Sequence, residues 1–209
     1  MDPSPEDLDS YDSEGPRPGL AGLSSLIVGA LARYPDYEGG ESTPDGDAFA
    51  DPLADLCERV IEGTVDMEQY QLFNVLGRGG MGTVFLARDT ELDRQVAIKL
   101  WNSDEPEHQL ALLREAGMLA KLSHPNIVTI YASGRHEDRV FFVMEYVGGS
   151  DSLLWRKMFQ PDWREVLRVG IAAGQGLAAA HGVGVVHHDF KPLNLLVGDD
   201  GRVKIIDFG

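Results

Sequence analysis

The residue types best suited to chemistry sit in two runs near the carboxyl end, His187-His188-Asp189-Phe190-Lys191-Pro192-Leu193-Asn194 and Ile205-Ile206-Asp207-Phe208-Gly209. Together they offer two well-placed carboxylates, an amide and an ammonium. Phosphoryl transfer needs such a set: a carboxylate to orient the accepting hydroxyl, oxygen ligands for a divalent cation, and positive charge to offset what spreads over the phosphate oxygens. Asp189 suits the first need, and Asn194 and Asp207 the second. The competing reading is a metal site, because two imidazoles and a carboxylate can hold iron or zinc. Adjacent residues on extended backbone point to opposite sides, however, so His187 and His188 are poorly placed to reach one ion.

Such chemistry depends on elements that bring distant residues together. Leu76-Gly77-Arg78-Gly79-Gly80-Met81-Gly82-Thr83-Val84 has the pattern G-x-G-x-x-G-x-V, between an apolar run at 70–76 and a strand-like segment at 83–87. Glycines there let backbone approach phosphates closely. Dinucleotide-binding folds use a similar spacing but follow it with a helix; here a strand follows. In Val96-Ala97-Ile98-Lys99, the strand period of two puts Ala97 and Lys99 on one face and Val96 and Ile98 on the other. A lone strand lysine is ordinarily a solvated edge charge, but behind a glycine loop it is placed to meet phosphate.

Residues 106–122 read as a helix in which Leu112, Glu115, Ala116 and Leu119 share a stripe. An acid within an apolar stripe needs a partner, and Gly117 lowers helix propensity by about 1 kcal/mol relative to Ala. Residues 140–147 read as a strand running into a hinge. Asp162 followed by Glu165 has the form of a capping box, with the helix running to about His181 and Gly182 just past its end. Gly198-Asp199-Asp200-Gly201 reads as a hairpin turn between 195–197 and 202–206 rather than an acidic metal loop.

These runs, in this order, resemble the glycine loop, strand lysine, helix glutamate, catalytic loop and magnesium motif of the eukaryotic-type protein kinase superfamily, in the style of bacterial serine/threonine kinases. The resemblance covers about residues 67–209. It implies an α+β, bilobal protein-kinase fold: a five-stranded antiparallel N-lobe with one helix at about 67–147, then an incomplete helical C-lobe at about 148–209.

The same resemblance implies ATP and Mg2+ as cofactors and transfer of the γ-phosphate to protein Ser/Thr hydroxyls. Asp189 is then the catalytic base, Lys191 its serine/threonine-type companion, and Glu115 the partner of Lys99. Asn194 and Asp207 hold the metal. ATP contacts fall to Leu76, Gly77, Gly79, Gly82, Val84, Ala97, Lys99, Met144 behind the adenine pocket, the backbone of Glu145 and Val147, Asp151 at the ribose, and Leu196. His187 packs beneath Phe208 with Leu119 and Ile130, in a stack joining the lobes.

His188 departs from the pattern, which usually has Arg there to pair with a phosphorylated activation loop. Imidazole lacks a permanent charge near neutral pH, so activity is expected to depend little on that phosphorylation. Two alternatives from other classes stay open: a nucleotide-binding pseudokinase or regulatory remnant, and a small-molecule kinase of the aminoglycoside or choline type. Retention of Lys99, Asp189 and Asp207 disfavours the first. Lys191-Pro192 together with His124-Pro125-Asn126 and Asp207-Phe208-Gly209 disfavours the second.

The sequence stops at Gly209, ahead of the activation segment and Ala-Pro-Glu motif expected of the family, so it reads as a fragment. The 209-residue chain alone is expected to be inactive and poorly soluble, because the helix after Asp162 would keep an apolar face in water.

Composition agrees with a kinase domain in the cytoplasm: 43% hydrophobic residues and one cysteine, Cys57. No run is long enough to span a bilayer. Membrane attachment through a part beyond Gly209 stays open. The apolar stretch at 20–31 follows six acids and one base, the wrong flank for export, and reads as a docking helix. Residues 1–66 carry sixteen acids and three bases, a net of −13, against −3 for residues 67–209, with eighteen acids and fifteen bases. This acidic segment disfavours nucleic acid as a partner.

Its first nineteen residues should be disordered, and Ser10 and Ser13 have an acidic context that could admit phosphorylation. Within it, Leu20, Leu23, Ile27, Leu31 and Tyr34 partly follow helical spacing, and Leu53, Leu56, Cys57, Val60 and Ile61 do so fully. Residues 1–66 are thus expected to be a largely disordered segment with one or two short helices, packing on the kinase or serving a docking partner.

Overall fold

A computed structural model of the chain describes residues 53–103, 105–119 and 122–208, apart from the side chains of 115, 116, 118 and 119. The expected tail disorder, the helix around Leu20 to Tyr34, Ser10 and Ser13 lie outside the described residues.

The first element is helix α1, Ala54–Glu62, which buries Leu56, Cys57 and Val60 and leaves Ile61 72% exposed. The helical spacing read from Leu53 onward therefore holds for four of its five residues, and Ile61 falls on the wet side. Strands β1 (Val65–Met67), β2 (Tyr70–Gly79), β3 (Gly82–Asp89) and β4 (Arg94–Trp101) follow, then helix α2 (Pro106–Leu119), β5 (Ile130–His136) and β6 (Arg139–Glu145). They form one antiparallel sheet in the order β1-β2-β3-β4-β6-β5. The five expected strands are present, and three-residue β1 adds a sixth at the edge. The boundary expected at 66/67 falls inside β1, and α1 shares the sheet's core, so packing against the sheet extends upstream of residue 67 among the described residues.

Strand alternation divides this sheet. Phe85, Ile98 and Val143 lie directly opposite one another across β3, β4 and β6, as do Leu100 and Phe141 across β4 and β6. This face, together with Leu72 and Ala87, forms one core with Leu53, Leu56, Cys57 and Val60 of α1 and its approach. On the other face Val84, Lys99 and Phe142 are opposite one another, and Ala97 faces Met144. Leu112 of α2 packs there with Val140 and Phe142. Gln109, almost fully buried, tethers α2 by donating to the carbonyls of Ser103 and Asp138.

The second lobe begins with β7 (Gly149–Asp151), α3 (Ser152–Phe159) and α4 (Trp163–Gly182). The capping box is made: Asp162 accepts from Glu165 N at 2.9 Å and Glu165 accepts from Asp162 N at 3.2 Å. The helix runs one residue further than expected, through Gly182. Trp163, Val166, Leu167 and Ile171 on its outer face are exposed. Its inner face reaches the other lobe's linker at Gly176, where an added Cβ would lie 2.9 Å from Asn126 O and 2.8 Å from Ile205 Cδ1. A short 3-10 turn, Pro192–Asn194, leads into the hairpin β8 (Leu195–Gly198) and β9 (Val203–Ile205), which pairs with β7 to make a three-stranded sheet. Gly201, with φ +79°, makes the turn. No helix among the described residues is long and apolar enough to cross a membrane.

Candidate active site

The glycine loop is the hairpin between β2 and β3, with Gly77 opposite Val84 and Gly79 opposite Gly82. Gly77, Gly79 and Gly80 are exposed, whereas Gly82 is buried against β4. A Cβ at Gly82 would stand 2.3 Å from the Leu100 carbonyl oxygen, so a side chain there would push the loop off the strand that carries the lysine.

Lys99 lies on the sheet face that holds Val84, Ala97 and Met144. Its ammonium sits 4.4 Å above the Trp101 ring and 2.8 Å from Asp207 Oδ1, across 108 residues of sequence. Lys99 is nearly buried and Asp207 is partly open, 11% and 37% exposed by side chain. A cleft beside this pair is lined by Trp101, Leu112, Met144 and Phe208 as well. Glu115, the expected partner of Lys99, is on α2 but its side chain lies outside the described residues, as does that of Leu119.

The catalytic-loop residues are drawn together by their own backbone. Asn194 N bonds to Lys191 O at 2.9 Å, and Ile206 N to Asn194 O at 3.0 Å. Asn194 is buried. Its amide nitrogen donates to the carbonyl of Asp189 at 2.9 Å and to Asp189 Oδ2 at 3.3 Å. With the nitrogen committed to two acceptors, Asn194 offers its oxygen to a cation. Lys191 Nζ lies 2.8 Å from Asp189 Oδ2, and this ammonium holds the Asp189 carboxyl below the usual carboxylate range. Asp189 is therefore an anion at neutral pH, suited to orienting a hydroxyl more than to stripping its proton early.

His187 is buried and packs on Phe208, with ring centroids 4.5 Å apart. Its Nε2 is 2.9 Å from Ile206 O. A carbonyl only accepts, so Nε2 is the donor in this contact, and Nδ1 is buried with no hydrogen-bond partner among the described residues. His188 and Asp207 have left-handed backbone, φ 59° and 55°, a conformation that costs energy in non-glycine residues and tends to cluster at functional sites.

The other expected contacts are placed by their elements. Leu76 and Val84 flank the loop on β2 and β3, Met144 and Glu145 end β6, Val147 is buried in the hinge, and Leu196 is half-buried on β8. Asp151, expected at the ribose, also caps α3, its Oδ1 accepting from Leu153 N and Leu154 N, each at 2.9 Å. Sequence reasoning missed Trp101 under the lysine, and Arg202 and Lys204, which bind the side chain of Glu145. A lysine at the middle of the three-residue strand Val203–Ile205 was the available signal, because a buried ammonium needs an anion.

A curled sheet with a lysine facing a carboxylate on a second, helical lobe, and a glycine loop above it, is the architecture of a protein kinase. A family model for the protein kinase domain matches residues 70–209, and the chain belongs to that family. It is 41% identical over 151 residues to the probable serine/threonine-protein kinase SCO3848 of Streptomyces coelicolor, covering 68% of this chain and 22% of that one. Against the serine/threonine-protein kinase PrkC of Bacillus subtilis it is 39% identical over 147 residues, again 68% of this chain and 22% of the relative. Among solved structures, the kinase domain of Mycobacterium tuberculosis PknI matches with a TM-score of 0.60 and 28% identity, over 69% of this chain and 61% of that one. The chain thus spans only about a fifth of the length of these curated relatives. Helix α1 and strand β1 precede the family match.

Proposed function

We propose that the protein carrying this chain is a serine/threonine protein kinase that uses ATP and Mg2+. The observation that carries the reading is that Lys99 meets Asp207 and that Asn194 and Lys191 both hold Asp189, with the bond from Ile206 N to Asn194 O tying the loop of the second group to the residue before Asp207. A set of two carboxylates and an amide oxygen fits a hard cation that prefers oxygen ligands. Asn194 and Asp207 would hold Mg2+, which neutralises charge on the phosphate oxygens when bound.

Lys99 and Asp207 neutralise each other here. With nucleotide and cation bound, Lys99 would face phosphate oxygens and Asp207 would face the cation. Asp189 accepts a hydrogen bond from the substrate hydroxyl and aligns it for in-line attack, while Lys191 balances the charge on Asp189 and on the group in transit. Ala97 and Val84 offer an apolar face to adenine, Leu196 meets it from the second lobe, and the backbone of Glu145 and Val147 supplies its polar contacts. The relatives' names and the Lys191-Pro192 pair favour protein hydroxyls as acceptors.

The test is phosphorylation of a serine/threonine peptide library by the full-length protein. Asp189→Asn is expected to lower the rate by at least about a hundredfold. A variant retaining more than a tenth of the wild-type rate would overturn the assignment.

A further inference from the structure

Glu145 ends β6, and the reading above uses only its backbone. Its side chain, however, is held from three directions. Oε1 accepts from Arg202 Nη1 at 2.8 Å, Oε2 lies 2.7 Å from Lys204 Nζ, and Thr129 Oγ1 donates to Oε2 at 3.3 Å. Lys204 also donates to the carbonyl of Ile127 at 3.3 Å, and Arg202 pairs with Asp200. Two acids and two bases therefore balance. The Glu145 and Lys204 side chains are 11% and 7% exposed, so this pair is largely dry, while Arg202 and Asp200 are half exposed at its edge.

Its location matters because of what each end carries. Lys204 is the middle residue of β9, which ends two residues before Asp207, and β8 begins immediately after Asn194. The hairpin thus carries both expected cation ligands. Glu145 belongs to the strand end expected to face adenine, where Val96 of β4 pairs with it. Burying an ion pair costs desolvation, and an apolar pair of similar volume often stabilises a fold as well or better. A charged cluster is thus weak grounds for stability. What it adds over apolar packing is direction, because two oxygens gripped by two cations fix a separation and an orientation.

We propose that Glu145 is a positioning residue: through Lys204 and Arg202, its carboxylate sets the distance between the adenine-facing end of β6 and the hairpin that carries Asn194 and Asp207. The inference rests on the nucleotide-binding reading of the cleft. Its consequence is selective. A ligand that spans both ends, ATP with Mg2+, depends on the separation, whereas adenosine, which reaches only the hinge side, does not.

The experiment measures the affinity of the full-length protein for ATP with Mg2+ and for adenosine, in wild type, Glu145→Gln, Lys204→Met and the double variant. Each single variant is expected to weaken Mg-ATP by about tenfold while moving adenosine by less than about twofold. The double variant should be no weaker than the worse single one, because the residues act as a unit. Equal losses for the two ligands, or unchanged Mg-ATP affinity with a lower melting midpoint, would show a purely structural cluster and overturn the proposal. If a core variant does not fold, Arg202→Gln, at a half-exposed position, should give the same selective loss at about threefold, and its failure to do so overturns the proposal equally. Wild-type protein that binds adenosine no more weakly than Mg-ATP would instead sink the phosphate-site reading beneath it.

Discussion

The two faces of the N-terminal sheet use the same strands for opposite purposes. On one face Phe85, Ile98, Leu100, Phe141 and Val143 are sealed by α1 and make no polar commitments. On the other, Val84, Ala97 and Met144 surround an ammonium that faces a carboxylate from the second lobe. A single strand such as β4 supplies both, residue by residue, because alternate side chains point to opposite faces. The apolar face resists change in volume, and the polar face resists change in charge. A substitution on one should therefore alter stability and leave chemistry intact, and on the other the reverse.

Four substitutions in the full-length protein test that division, from the largest expected effect to the smallest. Phe85→Ala on the sealed face should cost about 3–5 kcal/mol of stability, read from urea unfolding, because it leaves a cavity with little means of collapse. Lys99→Met on the other face should lower kcat/KM for ATP by about 10²–10³-fold while the melting midpoint moves little. A large loss of stability in that variant would break the comparison, since it would make the Lys99–Asp207 pair part of the scaffold.

Leu56→Ala tests whether α1 belongs to the sealed face. It should cost about 2 kcal/mol by the same unfolding measurement, with KM for ATP unchanged. No change in stability would show that the helix merely rests on the sheet. Lys191→Met probes charge alone. Lys191 holds the Asp189 carboxyl below its usual range, so it favours the ionised form, and removing it should raise that pKa. The acid limb of the pH-rate profile should then move to higher pH. A limb that stays in place would mean that another group sets it.

Much of this was legible in the chain, for reasons that differ by element. The capping box at Asp162 and Glu165 and the turn at Gly198–Gly201 are local devices, closed within a few residues, and both are as read. The split of Ala97 and Lys99 from Val96 and Ile98 follows from the strand period. The role of α1 was only half legible. Its apolar spacing announced a helix that packs on the kinase or serves a docking partner, but nothing in a short amphipathic stretch says which surface it covers; the shared core with the sheet does. Asp151 shows a related limit. An aspartate just past a hinge suits a sugar hydroxyl and a helix cap alike, and the cap, made because α3 starts one residue later, could not be read without the helix.

The sequence by itself determined the glycine loop, the strand lysine, the Asp189-to-Asn194 loop and the Asp207 motif, since each is a short pattern whose residue types and spacing carry its chemistry. Only the tertiary structure decided that Lys99 meets Asp207 and that Glu145 grips Lys204 and Arg202, pairs drawn from different lobes. The physical reason is that a charge can choose among many partners along an unfolded chain, and burial narrows the choice. Once the hairpin β8–β9 docks under the sheet, each ammonium leaving water must take the anion that the fold has already brought within reach.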